Sequence, residues 1–395
     1  MFFRGLMGSR ENLKFSFLNP TKIVFGHQSS SRLGEELKAL GVKRALLVTD
    51  RNLHHHTKIP ETVARAAGDL LGGIFSEVIP DSGIEIVNRG AACAREFKCD
   101  GLISLGGGSS IDTAKGISAL LTLNQTDISS LLGFQTVGRP MIPHISIPTT
   151  AGTGSEVTFV AVFKNENLGR KILITDDHLH PQTAILDPGL TLALPPAITA
   201  ATGMDAACHA IEAIHSRRAN PLTDGLALQA LSLISANLLT CVNDGQNLGA
   251  RGNQLLASTL AGIAFSNAFV GVVHALAHTI GARFGIPHGV ANAICLAPSM
   301  RYNLKAATPR YALIAAAIGI PIGGRPETEL AQKVIEWVEK LLSQLPIPRK
   351  LRDVQIPPEA LPRLAEEALT DSSIYTNPIK ITDPAELEKI LREAW

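Results

Sequence analysis

What most narrows the fold of this chain is the make-up of its extended runs between residue 20 and about 190. They are short and β-branched, lack polar–apolar alternation, and are separated by helical stretches. Arg44-Ala45-Leu46-Leu47-Val48-Thr49 predicts a strand, a helix-compatible segment follows from Ile59 to Leu71, and a second strand lies at 73–79. A helix over 84–98 leads into the strand Gly101-Leu102-Ile103-Ser104-Leu105. A strand solvated on one face would alternate; these do not, so both their faces are covered. That is the pattern of a mostly parallel sheet between helical layers. Extended runs at 142–147, 157–163, 171–175 and 183–186 join that sheet or pair beside it.

The character changes between Asp187-Pro188 and Pro195-Pro196. Beyond that point, Ala/Leu-rich helical stretches (198–216, 222–242, 249–282, 327–344 and 358–369) carry almost no strand signal. The sequence thus predicts an α/β, Rossmann-like dinucleotide-binding domain over 1–190 and an all-helical domain over 191–395. A length of 395 residues supplies a core for each. The 36 Lys and Arg against 35 Asp and Glu leave a net charge of +1, which argues against a nucleic acid or an acidic membrane surface as partner. The most apolar stretches, such as 255–273, are broken by Gly, Ser, Asn and Thr and read as buried helices rather than spans. Five cysteines without a C-x-x-C pair predict buried thiols in a reducing compartment. Met1–Arg10 has no apolar run of signal-peptide length, and the expected location is the cytoplasm.

Three groups of residues carry chemistry. Gly106-Gly107-Gly108-Ser109-Ser110-Ile111-Asp112-Thr113-Ala114-Lys115-Gly116 follows a strand and opens a helix, where bare backbone and the helix N-terminus favour a phosphate. It is neither G-x-G-x-x-G nor a Walker A motif. Pro148-Thr149-Thr150-Ala151-Gly152-Thr153-Gly154-Ser155-Glu156-Val157-Thr158 is dense in hydroxyls and small residues, fit to bond ribose or phosphate or to make a solvated turn. Asp205 and His209 stand four apart in an Ala-rich helix, His274 and His278 repeat the spacing, and His288 follows ten residues later in Ile286-Pro287-His288-Gly289. Two such pairs on apolar helices point to a buried metal site with nitrogen and oxygen donors. The run His54-His55-His56 lacks such a scaffold and reads as surface.

Together these motifs resemble the iron-dependent (group III) alcohol dehydrogenases. The resemblance spans nearly the whole chain, from Asn19-Pro20-Thr21-Lys22-Ile23-Val24-Phe25-Gly26 to Thr376-Asn377-Pro378. It implies a dehydroquinate synthase-like architecture and a homodimer or higher homo-oligomer. It also implies that Asp205, His209, His274 and His288 are the metal ligands and that His278 is a non-ligating acid/base. By the same resemblance Gly107, Gly108 and Ser109 hold the pyrophosphate and Asp112 lies near the nicotinamide end. Thr149, Thr150, Thr153 and Ser155 line the cofactor, and Lys171 reaches its ribose. Asp50 falls beside the adenosine ribose, where a carboxylate accepts from two hydroxyls and repels a 2′-phosphate. That favours NAD over NADP, although Arg51 next to it softens the repulsion. Fe(II) is the family's usual metal, and the ligand types suit Zn(II) nearly as well.

The implied reaction is hydride transfer between a nicotinamide and a small primary alcohol or aldehyde bound to a divalent ion in the cleft between the domains. Rivals on the same architecture are diol or hydroxy-acid dehydrogenases, maleylacetate reductases and dehydroquinate synthase-like lyases. The lyases bring extra Lys and Arg for an acidic substrate, whereas Phe159, Val160, Phe265, Phe269 and Val270 are apolar. Val160 stands where some diol-specific relatives place a polar side chain, which favours simple alcohols. A filament module, as in bifunctional aldehyde-alcohol dehydrogenases, lacks its aldehyde dehydrogenase half here.

Overall fold

The computed structural model describes residues 13–165 and 170–395; the reading of Met1–Arg10 lies outside them. The chain forms two compact units, Asn19–Leu194 with Asp244–Gly262, and Pro195–Asn243 with Ile263–Trp395. The first runs β1 (Lys22–Phe25), α1 (Leu33–Ala39), β2 (Ala45–Asp50), α2 (Arg51–His56), α3 (Ile59–Ala67), β3 (Leu71–Val78), α4 (Ile84–Glu96) and β4 (Gly101–Gly106). It continues through α5 (Gly108–Thr122), β5 (Gly133–Phe134), β6 (His144–Pro148), β7 (Val160–Asn165), β8 (Arg170–Thr175) and β9 (Thr183–Leu186).

Six of these strands form one sheet in the order β1-β9-β6-β4-β2-β3, every pairing parallel. The apolar runs explain themselves in its two faces. Ala45, Leu47, Ile103, Leu105, Ile145 and Ile147 pack on Leu33, Leu37 and Val63 of α1 and α3. Leu46, Val48 and Leu102 pack the other way, on Val87, Ala91, Ala114 and Ile117 of α4 and α5. Each large aliphatic side chain buried so contributes about 1.5–3 kcal/mol. This is the expected parallel α/β layer fold.

The later extended runs do both things foreseen for them. β6 and β9 join the main sheet, while β5, β8 and β7 make a second one in which β7 and β8 are antiparallel. The run expected from 157 begins as a strand only at Val160, because Gly154 at φ 62° opens a 3₁₀ turn over Ser155–Val157. Likewise the helix expected to reach Leu71 ends at Ala67, where Gly68 takes φ 57°.

The helical unit holds α6 (Pro196–His215), α7 (Pro221–Asn243), the end of α8 (Leu248–Ala268) and α9 (Val272–Phe284). It also holds α10 (His288–Ala317), α11 (Glu327–Ser343), α12 (Leu361–Ala368) and α13 (Pro384–Ala394). The stretch 249–282 is therefore two helices, meeting at 106°. The break lies at Phe269, which takes φ 61°. The Ser216 and Thr376 hydroxyls donate to the Ala268 and Val270 carbonyls, satisfying the end of α8. α10, which holds Pro298 and Pro309, was not among the expected helices. α7 is long and apolar enough to cross a membrane by length and composition alone. It packs on α6 and α10, and Asp224 in its first turn pairs with Arg310.

Candidate functional site

In the sheet-bearing unit, the turn between β4 and α5 meets the loop after β6. Thr149 donates its backbone N–H to the Gly106 carbonyl at 3.0 Å. Gly106 takes φ +146°, and a methyl group there would run into Ser110 and lie 3.2 Å from Asp50 Oδ2. A methyl on Gly107 would lie 3.2 Å from Thr150 Oγ1, and one on Gly108 2.9 Å from Thr153 Cγ2. The three glycines thus let the hydroxyl loop close onto the start of a 15-residue helix, whose first N–H groups favour an anion. Asp50 ends β2 beside this turn and caps α2, its Oδ1 accepting from Leu53 N at 2.9 Å.

Other residues of the two motifs bond one another or their neighbours. Ser155 Oγ donates to Asp112 Oδ1 at 2.5 Å, and Val162 N donates to Asp112 Oδ2 at 3.0 Å. Ser109 Oγ accepts from Asp81 N at 3.1 Å, and Lys171 Nζ donates to Asp81 Oδ1 at 2.7 Å. Lys171 therefore reaches the glycine turn by way of Asp81.

Lys115, quoted in the motif but given no part, is the hub of this region. Its wholly buried Nζ donates to Ser155 Oγ at 3.0 Å, Thr158 Oγ1 at 2.9 Å and the Val160 carbonyl at 2.8 Å. Burial pushes its ammonium down to about 8, against the pull of Asp112 and Glu156. The signal was an ionisable residue three positions after Asp112 in an otherwise small and apolar helix.

In the helical unit, the four expected ligands come from three helices. Asp205 and His209 project from one face of α6, and His274 comes from α9. Single ligand atoms of these three lie within 4.8 Å of one another, all buried. His288 opens α10, its Nε2 3.7 Å from Asp205 Oδ1. Gly289 is required next to it, because a methyl there would collide with the Ala201 carbonyl of α6. The rings of His209 and His274 stack at 4.6 Å, and Phe265 stacks on the other side of His209 at 4.2 Å.

A buried acid supports the cluster. Glu212 lies two turns beyond Asp205 and has no exposed surface. His274 Nδ1 donates to its Oε2 at 2.5 Å, and Val273 N donates to its Oε1 at 2.8 Å. With Nδ1 so bound, Nε2 of His274 carries the ring's lone pair, the arrangement that orients metal-bound histidines. Burial pushes the Glu212 carboxyl up. The sequence analysis missed Glu212, although its spacing of three from His209 was the available sign. The donor set fits a divalent ion: three imidazoles and one carboxylate, converging in a buried place.

His278 stands one turn after His274, with ring centroids 5.9 Å apart, and stacks on His288 at 5.3 Å. Its Nδ1 donates to Asp371 Oδ2 at 2.9 Å. Burial alone would raise the Asp371 carboxyl, but His278 beside it and the Ser373 backbone N–H hold it down to about 2. Nothing in the sequence pattern marked Asp371, which is 93 residues from His278.

The comparisons with known proteins point to one family. The family model "Iron-containing alcohol dehydrogenase" matches residues 20–188, and "Fe-containing alcohol dehydrogenase family, C-terminal" matches 199–395. The chain is 40% identical over 385 residues to a 1,3-propanediol dehydrogenase of Klebsiella pneumoniae, covering 96% of this chain and 99% of that one. It is 36% identical over 382 residues to an NAD-dependent methanol dehydrogenase of Bacillus methanolicus, covering 96% and 99%. A crystal structure of a 1,3-propanediol oxidoreductase superposes with a TM-score of 0.93 at 39% identity, covering 97% of this chain and all of that one. These matches, over a chain with a glycine turn at a helix start and a cluster that suits a divalent ion, place it in the iron-containing alcohol dehydrogenase family, as an oxidoreductase of alcohols and aldehydes that works with a metal and NAD(P)(H).

Proposed function

We propose that the chain interconverts small primary alcohols and aldehydes with NAD(H) and iron(II), residues 1–190 binding the dinucleotide and 191–395 the metal. The observation that carries this reading is the convergence of Asp205, His209 and His274, with His288 beside them, on one buried point. Those four residues would hold the ion. When bound, a divalent ion there supplies Lewis-acid polarisation of the alcohol or carbonyl oxygen. A bound nicotinamide supplies or takes the hydride.

The chain's own groups do the rest. Gly107, Gly108 and Ser109 offer backbone N–H groups to the pyrophosphate, with Thr149, Thr150 and Thr153 around it. Ser155 and Asp112 brace one another beneath, and Lys171 reaches the ribose side through Asp81. Asp50 supports NAD over NADP by its charge next to the turn. Asp371 fixes the proton of His278 on Nδ1, so Nε2 is the atom that takes up or releases the substrate proton. Phe265, stacked on His209, keeps that side of the cluster dry.

A second reading, a diol as the substrate, is supported by the 40%-identical relative named for 1,3-propanediol. Val160 supports the simple alcohol instead. Exposed Phe15, Ile23 and Phe25, the last two on the edge strand β1, support a homo-oligomer. The free cysteines support a reducing, cytoplasmic setting. Assays of the iron(II)- and zinc(II)-loaded enzyme with NADH and NADPH test the whole reading, on ethanal, propanal, 3-hydroxypropanal and succinic semialdehyde. It expects the highest kcat/KM for an unsubstituted aldehyde with NADH and iron(II). A preference for 3-hydroxypropanal would establish the diol reading, and no turnover with any of them would overturn both.

A further inference from the structure

The assignments above give no part to Asn292, yet its side chain sits at the centre of the cluster. Asn292 is wholly buried on α10, one turn beyond His288. Its Nδ2 donates to Asp205 Oδ1 at 2.7 Å and lies 3.1 Å from His288 Nε2 and 3.3 Å from His274 Nε2. A carboxylate oxygen and two imidazole nitrogens carrying lone pairs are all acceptors, and crowding them is unfavourable unless a donor or a cation stands among them. The amide nitrogen supplies two hydrogens without adding charge. Its own Oδ1 is buried with no hydrogen-bond partner. A buried amide placed only to fill space would not leave its carbonyl so; the acceptors around Nδ2 set its orientation.

We infer that Asn292 is a positioning residue of the metal centre. Its Nδ2 restrains the Asp205 carboxylate through Oδ1, which keeps a second lone pair for the ion, and borders the point that His274 and His288 Nε2 face, and it thereby sets the affinity for the divalent ion. The inference rests on the metal reading above. Two supports then act on different donors, Glu212 on His274 through Nδ1 and Asn292 on Asp205 through the shortest of its three contacts.

The test is a Co(II) titration of the full-length, chelator-treated enzyme, followed by the visible d–d bands. Wild type, Asn292→Leu and Asn292→Ser are compared, with NADH binding as the check on folding. Leu keeps the bulk and removes the donor, whereas Ser is smaller and retains one. Wild type should bind one Co(II) per chain. Loss of such a support typically costs about 10- to 100-fold in metal affinity, so Asn292→Leu should bind that much more weakly and show shifted bands when saturated. Asn292→Ser should fall between the two, and it carries the comparison alone if the Leu variant does not fold. Affinity within about twofold of wild type in the folded variants, with unchanged bands, overturns the inference while leaving the metal reading intact. A wild type that takes up no Co(II) overturns both.

Discussion

The glycine turn and the metal cluster are built on opposite principles. At the turn, what matters is the absence of side chains: Gly106, Gly107 and Gly108 leave room for Ser110, Thr150 and Thr153. At the cluster, the candidate donors are side chains from three helices, and further acids back the histidines there: Glu212 accepts from His274 and Asp371 from His278. The turn is therefore vulnerable to added bulk and the cluster to removed groups. Substitutions in one should leave the other's ligand untouched.

The largest effect falls on the cluster. His274→Ala should remove the metal and lower turnover by about 10⁴-fold or more, since the Lewis acid goes with it, while NADH still binds. Metal analysis beside stopped-flow NADH binding checks this, and full activity in a metal-free variant would sink the assignment. His278→Ala should keep its metal and lose about 10²–10⁴-fold in turnover, the usual worth of a proton relay. Asp371→Asn should move turnover in the same direction by less. Loss of metal from His278→Ala, to the extent seen with His274→Ala, would make His278 a ligand.

At the turn the response reverses. Gly108→Val places bulk 2.9 Å or less from Thr153. Overpacking of that kind costs about 1–3 kcal/mol, which read as cofactor affinity is about 5- to 150-fold, with metal content unchanged. Equal loss of both ligands would dissolve the distinction between the two regions.

The last effect falls on stability rather than on a ligand, and it tests the buried lysine under the turn. Because burial lowers the Lys115 ammonium from 10.5 to about 8, the unfolded chain binds more protons in that window than the folded one. The lysine's contribution to stability is therefore greatest above about pH 10.5 and is lost as pH falls through about 8. Lys115→Met abolishes this titration. Wild type should gain on the order of 3 kcal/mol relative to the variant as pH rises across the window, measured by urea denaturation. A difference independent of pH would show that Lys115 is not a charged, buried group.

The same contrast explains what could be read before the structure. The glycine turn is contiguous and follows an apolar strand, so backbone chemistry left a local trace. The four candidate ligands were visible only as two i,i+4 pairs and a later histidine, because the helical period leaves a trace within α6 and α9 and none between helices. Their supports were barely legible: Glu212 left only its spacing of three from His209, Asn292 reads as a polar residue in an apolar helix, and Asp371 joins His278 only through the tertiary fold. The sheet was legible because parallel strands must be apolar on both faces. α10 was not, because a proline's local effect on a helix is overridden by packing along its 30 residues.

The central claim is that Asp205, His209, His274 and His288 jointly hold one divalent ion needed for the reaction. Crystals of the active enzyme, measured on both sides of the iron and zinc absorption edges, test it most directly. The account predicts a single anomalous peak per chain, bounded by an Asp205 carboxylate oxygen and the Nε2 atoms of the three histidines, strongest at the iron edge. An active enzyme whose peak lies elsewhere, or that shows none, would contradict it.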